Sequence, residues 1–301
     1  MHQIAMSWLL IVLAGHLANA LSYVVNKILL AGKMQTPSVF VFYIGTLGLL
    51  SFVLLPFGNL YPLAPVTMIE AFVGGASFMG ALLAFFTALK KGETTRVVPF
   101  VGSFVSLWTL LLAGIILGER LNGIEWVGIA LLIVGSIIIT REPTASKTRL
   151  NSVEVFYIVL AGGLFALSYT VTKVVFNAAD FIPAFLWMRV FAFASVVPLL
   201  LLPNIRRQIF SGNGERPPFL FYLGQGFGAI GFVLLNFGVD LAPSVSVVNA
   251  LQGVQYAFLF LFVVFFAYFA PRILKEKFTF AIVVQKVGAL IVLGIGLALV
   301  A

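Results

Sequence analysis

The 301-residue chain has no cysteine, which excludes disulfides, thiolate metal sites and cysteine nucleophiles together. Histidine is nearly as scarce. His2 and His16 are the only two, too few and too far apart for a metal cluster. Charge is the third shortage: Asp, Glu, Lys and Arg make up 9% of the residues, against roughly 25% in a water-soluble domain. A surface facing water cannot be covered with so little charge, so a soluble globular enzyme is excluded. The ten acidic residues, Glu70, Glu93, Glu119, Glu125, Glu142, Glu154, Asp180, Glu215, Asp240 and Glu276, fall at or near the ends of apolar runs. No paired carboxylates, His cluster or Ser–His pair stands at depth to support an intramembrane enzyme. The expectation is therefore no catalytic residue, no cofactor and no metal.

What the chain does contain is apolar. Hydrophobic residues make up 61% and the mean hydropathy is +1.13. A membrane-crossing helix needs about 20 mostly apolar residues, and ten runs qualify. They start near Ser7 (to Leu30), Pro37 (to Phe57), Val66 (to Leu89), Thr95 (to Leu117) and Ile124 (to Ile139). After a polar stretch come Val153–Phe176, Phe181–Leu202, Pro218–Leu241, Ser244–Ala270 and Phe278–Val300. The chain thus divides into residues 1–140 with five spans, a linker at 141–152 containing Arg141, Lys147 and Arg149, and residues 153–301 with five more. The Trp8–Ala14 core followed by Ala18-Asn19-Ala20 imitates a signal peptide. No Lys or Arg precedes that core, and the segment recurs later in the chain, so it reads as span 1.

That recurrence organises the whole sequence. Ala20-Leu21-Ser22-Tyr23-Val24-Val25-Asn26-Lys27 matches Ala166-Leu167-Ser168-Tyr169-Thr170-Val171-Thr172-Lys173, and at the same offset Pro37 meets Pro183. Val97-Val98-Pro99 aligns with Val247-Val248-Asn249, and Gly118-Glu119-Arg120-Leu121 with Lys275-Glu276-Lys277-Phe278. Five spans is an odd number, so the second half enters the membrane inverted. Inverted repeats with a substrate site near the midplane belong to secondary transporters. The net charge of +8 reads as topology, because Lys and Arg sit in short gaps between apolar runs; a nucleic acid partner would need them clustered with aromatics. Thirteen of the 18 basic residues lie in odd-numbered loops, which the positive-inside rule makes cytoplasmic, with both termini on the opposite side.

Side chains that are expensive to bury in lipid usually face a protein interior or a water-filled path. Helical spacing puts His16, Asn19, Tyr23 and Asn26 on one stripe of span 1, with Tyr169 in the corresponding stripe of span 6. Span 8 places Gln225 and Asn236 on one face. Span 9 groups Asn249, Gln252 and Tyr256, with Gln255 beside them. These residues are the expected substrate-binding set. Ser77, Thr87, Ser103 and Ser106 are expected mainly to join helices. Among the charges, Lys27 and Lys173 lie roughly 13 Å from the midplane at 1.5 Å per residue, where each can snorkel to the interface or serve as a gate. Arg189 lies near the middle of span 7 and needs a partner inside the protein; Lys286, beside Gln285 in span 10, poses the same problem. His16 is the one mid-membrane side chain that ordinarily titrates near neutrality.

The five-plus-five layout resembles the drug/metabolite transporter superfamily and, within it, the EamA-type transporters. Leu117-Gly118-Glu119-Arg120-Leu121 followed by Trp126–Gly135 is similar to that family's signature, and Leu186-Trp187-Met188-Arg189 resembles its recurrent arginine. Departures are Tyr43 where span 7 has Arg189, Asn249 where span 4 has Pro99, and a longer stretch at Phe269–Lys277. The resemblance implies an all-α bundle of ten transmembrane helices around a central cavity lined by spans 1, 3, 4, 6, 8 and 9. It also implies cytoplasmic termini, against the charge count, which is preferred here. Small relatives in the superfamily exchange protons through a membrane-embedded Glu, which this chain lacks. Facilitated diffusion or exchange is then the simpler expectation. The function expected is export of small polar or amphipathic, amino-acid-like metabolites by alternating access, with an anion or phosphorylated-metabolite exchanger as the alternative. An intramembrane enzyme or a non-transporting scaffold is a further, lesser alternative. The expected partners are the bilayer of a bacterial-type plasma membrane and a small-molecule substrate, the chain acting as a monomer by default.

Overall fold

The computed structural model describes residues 2–29, 36–91, 94–140, 152–210, 219–269 and 280–300, with side chains at 7–24, 36–91, 97, 100–140, 152–210, 223–262, 264–265 and 281–300. Twelve α-helices occur among them, and no strand. They are α1 His2–Leu29, α2 Pro37–Gly48, α3 Pro65–Lys91, α4 Thr94–Leu112, α5 Gly123–Thr140, α6 Ser152–Ala178, α7 Phe181–Val196, α8 Pro203–Phe210, α9 Phe219–Leu241, α10 Val245–Ala250, α11 Gln252–Phe269 and α12 Phe280–Val300. Ten segments among the described residues are long and apolar enough to cross a membrane. They coincide with the ten expected runs to within a few residues, except that the first helix starts earlier. Large apolar side chains point outward, with Phe57 80% and Val53 73% exposed. That arrangement would aggregate in water and suits a lipid solvent, where backbone groups must be satisfied inside each helix.

The caps are written locally. Pro37 and Pro65 open their helices in the first turn, where the missing N–H costs nothing. Asn122 Oδ1 accepts from the N–H groups of Ile124 and Glu125, both at 2.9 Å, while Glu125 Oε2 accepts from Asn122 N–H at 2.7 Å. This reciprocal pair starts α5. Ser244 Oγ accepts from Val247 N–H at 3.1 Å to start α10. After α4 the chain widens into a π turn, Ala113–Leu117, which ends on Gly118 at φ 66°. Only glycine takes that left-handed backbone cheaply, which gives the Leu-Gly-Glu-Arg stretch a conformational reason. The second and seventh spans finish as 3-10 turns, Leu49–Phe57 and Val197–Leu201, each containing a proline, Pro56 and Pro198. Within the expected ninth span, helix geometry breaks at Leu251 between α10 and α11.

The helices group into two compact units, each drawing on both halves of the sequence. The first unit comprises Met1–Lys33, Arg120–Lys147 and Arg216–Ala301, and so contains α1, α5 and α9–α12. Here α1 runs antiparallel to α9 and also packs on α11, while α5 packs on α12. The α1–α9 seam is built from small residues: Val12 lies on Gly238, Gly15 on Leu235, Asn19 on Gly231 and Ser22 on Gly228. In the α5–α12 seam, Gly128 and Gly296 back onto each other's carbonyl oxygens, and Gly135 receives Leu293. Close backbone approach of this kind is how helices associate in lipid, where hydrophobicity alone supplies no attraction.

The second unit comprises Met34–Glu119 and Thr148–Glu215, and so contains α2–α4 and α6–α8. Helix α6 packs on α3 and α4, and α7 packs on α3 and α2. Ala81, Ala84, Ala88, Val97, Val101, Val105, Ile158 and Phe165 are buried together where α3, α4 and α6 meet. The short α8 has no counterpart among the expected spans. Its Ile205 is buried and its Arg206 and Arg207 are exposed. Thr36 Oγ1 donates to Gln208 Oε1 at 2.6 Å, and the Tyr43 hydroxyl donates to the Ile209 carbonyl at 3.0 Å, pinning α8 beside α2.

Candidate functional site

In the first unit, polar side chains converge at mid-span between α1 and α11. His16 stands at the middle of the Ser7–Val24 span and Gln255 near the middle of Val245–Phe262. Both are buried, each 4% exposed. His16 Nδ1 lies 3.1 Å from Gln255 Oε1. An amide oxygen can only accept, so the imidazole donates from Nδ1. Two turns along α1, the hydroxyl of Tyr23 is also hydrogen-bonded to Gln255, although its ring is half-exposed. One amide thus ties together two residues of a single α1 face. His16 Nε2 is buried with no hydrogen-bond partner among the described residues.

The rest of the expected stripe divides. Asn19 turns its amide oxygen onto Gly231 of α9 and belongs to the α1–α9 seam. The side chains of Asn26 and Lys27 lie outside the described residues. Asn236 Nδ2 donates to the Phe232 carbonyl at 2.8 Å, and Asn249 Nδ2 to the Val245 carbonyl at 3.1 Å. Each bond uses one of the two amide N–H donors on its own helix, leaving the second N–H and the amide oxygen as the groups that can address a ligand. Asn249 and Gln252 flank the break at Leu251, both half-buried, as are Tyr256 and Gln225. The break places irregular backbone beside polar side chains. Transporters tolerate such backbone at membrane depth where it is enclosed by protein or lines a path.

The hydroxyls read differently. Thr87 donates to the Leu83 carbonyl and Ser106 to the Gly102 carbonyl, each four residues back on its own helix. Such back-bonding satisfies a hydroxyl in lipid without any ligand. Ser168 instead donates to the Gly74 carbonyl at 2.8 Å, a cross-link from α6 to α3.

The second unit holds a cation in an aromatic setting. Arg189 of α7 is 6% exposed. Its guanidinium carbon lies 5.3 Å from the ring centroid of Phe78 and 5.4 Å from that of Phe185. Two π faces at this range attract a desolvated cation. Phe78 meets Phe165 edge-on at 5.8 Å, and Phe165 stacks on Tyr169 at 6.0 Å. Tyr169 therefore sits in an aromatic ladder that leads to the arginine. Lys173 corrects the snorkelling expectation: it is 7% exposed, enclosed by protein rather than extended to an interface. Lys286 Nζ donates to the Ile139 carbonyl, and Gln285 Nε2 to the Ile138 carbonyl at 2.7 Å. Both acceptors belong to the last turn of α5, whose carbonyls have no partner within the helix. The two residues of α12 thereby cap α5.

Periodicity finds His16, Tyr23 and Arg189, and sets Phe165 on one stripe of span 6 with Tyr169, but ranks Gln255 below its neighbours and passes over Phe78. Among the described residues no group of three or more His, Asp or Glu could hold a metal ion.

Residues 6–141 match the EamA-like transporter family. A comparison with curated proteins finds no match. Among solved structures 29 chains match. One, described only as a crystal structure of a protein, superposes with a TM-score of 0.67 at 14% identity, covering 96% of this chain and 97% of its own. At that identity the likeness speaks for the fold alone.

Proposed function

We propose that the chain, whose residues 6–141 match the EamA-like transporter family, is a member of that family within the drug/metabolite transporter superfamily and is a secondary transporter working by alternating access. Family members are transporters rather than enzymes, and the ten apolar spans make this chain a multi-pass membrane protein. The substrate class proposed is small, polar or amphipathic and amino-acid-like, and the direction is export. The observation that carries this reading is the His16–Gln255–Tyr23 set at mid-span. It is a polar constellation of donors and acceptors without a fixed pair of opposite charges. Polar groups held at that depth are costly to maintain and mark substrate paths. His16, Tyr23, Gln252, Gln255, Tyr256 and the side-chain amides of Asn236 and Asn249 are the proposed contacts.

Helix pairing supports the inverted repeat of residues 1–140 and 153–301. Exchanging each span with the one five places on turns the packing of α1 on α9 and α11 into that of α6 on α3 and α4. The pairs α5–α12 and α2–α7 map onto themselves. The orientation proposed keeps the odd-numbered loops in the cytoplasm of a bacterial-type plasma membrane, with the chain acting as a monomer. An anion exchanger is the lesser reading. Lys173 and Arg189 are both buried, but Arg189 already faces two rings and Lys286 a carbonyl.

The test is counterflow in proteoliposomes with a panel of labelled amino acids, nucleosides, sugars and phosphorylated sugars. Saturable, competable flux of an amino acid supports the reading. Flux of a phosphorylated sugar alone favours the anion exchanger, and no flux across the panel overturns both.

A further inference from the structure

His16 has two nitrogens, and only one is accounted for. Nδ1 donates to Gln255 Oε1 at 3.1 Å, so in the neutral ring Nε2 carries a bare lone pair. That lone pair is buried at mid-span with no donor among the described residues. Leaving a buried acceptor unmade is costly, and a packing residue of similar size would avoid the cost. The position therefore suits a group whose partner arrives and departs. The titratable and charged residues on α1 and the helices packed against it are His2, Tyr23 and Lys27 of α1, Tyr222 and Asp240 of α9, and Tyr256 and Tyr268 of α11. Tyr23 shares Gln255 with the imidazole. Asp240 stands at the end of α9, two residues beyond Gly238, which lies on Val12. That register sets Asp240 level with Leu10, more than a turn along α1 from His16, so no carboxylate of α1, α9 or α11 stands level with the imidazole.

The geometry points to Nε2 of His16 as a shared site for a proton and for the N–H donor of an amine substrate, which makes the protein a proton/substrate antiporter. The proposal rests on the carrier reading above and departs from facilitated diffusion. On one side of the membrane Nε2 takes a proton from water and the ring becomes imidazolium, still bonded through Nδ1–H to Gln255. On the other side the proton returns to water, and the freed lone pair accepts an N–H of the substrate. Each site visit is exclusive, so one proton enters for each substrate leaving. For a zwitterionic amino acid the exchange moves one positive charge inward.

The test uses the full chain in vesicles containing the pH dye pyranine, loaded with a labelled mixture of the proteinogenic amino acids, with the membrane potential clamped by valinomycin and potassium. The expected result is acidification of the lumen in fixed proportion to label leaving. His16→Asn keeps a donor for Gln255 but has no proton site, and should lower protons moved per label by at least about tenfold, whatever the rate. His2→Gln should leave the ratio as it is. Label leaving without acidification overturns the coupling while the carrier reading stands. No loss of label at all overturns the carrier reading and the coupling with it. Should His16→Asn fail to fold, nitrogen-15 NMR of histidine-labelled His2→Gln protein reads the single remaining ring. Nε2 unprotonated at alkaline pH and protonated on acidification supports the proposal; Nε2 protonated throughout, or never, overturns it.

Discussion

The α-carbon of Gly75 faces α7 so closely that a methyl group there would sit 2.5 Å from the carbonyl oxygen of Met188 and 2.8 Å from the nitrogen of Ala192. Both neighbours are helical backbone and cannot swing aside. Gly75→Ala should therefore force α3 and α7 apart and cost about 1–3 kcal/mol. Gly163, with nothing within 4 Å of the same position, is the control, since Gly163→Ala should be neutral or gain up to about 1 kcal/mol from helix propensity. Thermal melting of the two variants in detergent separates them, and equal melting temperatures would show the α3–α7 seam to be slack.

Removal of the α5 cap is a stability experiment. Lys286→Met leaves the Ile139 carbonyl unpaired and Gln285→Leu does the same to Ile138. Each should cost about 1–3 kcal/mol. Apparent substrate affinity should stay put, because the cap lies in the last turn of α5, away from the mid-span set. An affinity loss without a stability loss would move Lys286 from the scaffold into the binding path.

The Arg189–Phe78 pair is open to a double-mutant cycle. Phe78→Leu keeps apolar volume and removes the π face 5.3 Å from the guanidinium. Its coupling to Arg189→Met in chemical or thermal unfolding should be about 0.5–2 kcal/mol. A coupling near zero would mean that burial alone holds the arginine.

Gln255→Leu should remove the acceptor of His16 and the contact of Tyr23 together. The expected outcome is loss of the substrate-induced rise in melting temperature, with a destabilisation of about 1–3 kcal/mol from the stranded imidazole donor. The neighbouring Gln252→Leu, on a half-buried side chain, should cost less stability. The reverse order of effects would place the working amide one turn away.

What could be read from the sequence follows from what periodicity reports. Apolar runs of membrane length are unambiguous, so the ten spans emerged with ends close to those observed. Gly118, within the Leu-Gly-Glu-Arg stretch, is a local signal that sits where the structure uses it, whereas the Asn122–Glu125 cap beside it went unread. Helix α8 escaped because eight residues carrying Arg206, Arg207 and Gln208 never look like a span. Gln255 was ranked low for a geometric reason. Counting by helical turns from Asn249 assumes one continuous helix, and the break at Leu251 changes the phase of everything after it. The partners of Arg189 are rings on two helices, and nothing in the spacing along α7 reveals what α3 brings alongside. Grouping into compact units is likewise a property of which helices meet, and hydropathy is silent about neighbours.

The composition of those units sets a timetable for the ribosome. Helix α1 emerges first, yet the glycine-studded face it packs against belongs to α9. The chain from Leu29 to Phe219 takes roughly ten to forty seconds to make at ordinary elongation rates. Throughout that interval the nascent α1 must wait in the bilayer with its Asn19 and Ser22 still lacking the surface they will later press against. A half-length product released after the fifth span would be inserted but left without the mates of its first helix, making it a natural target for membrane quality control.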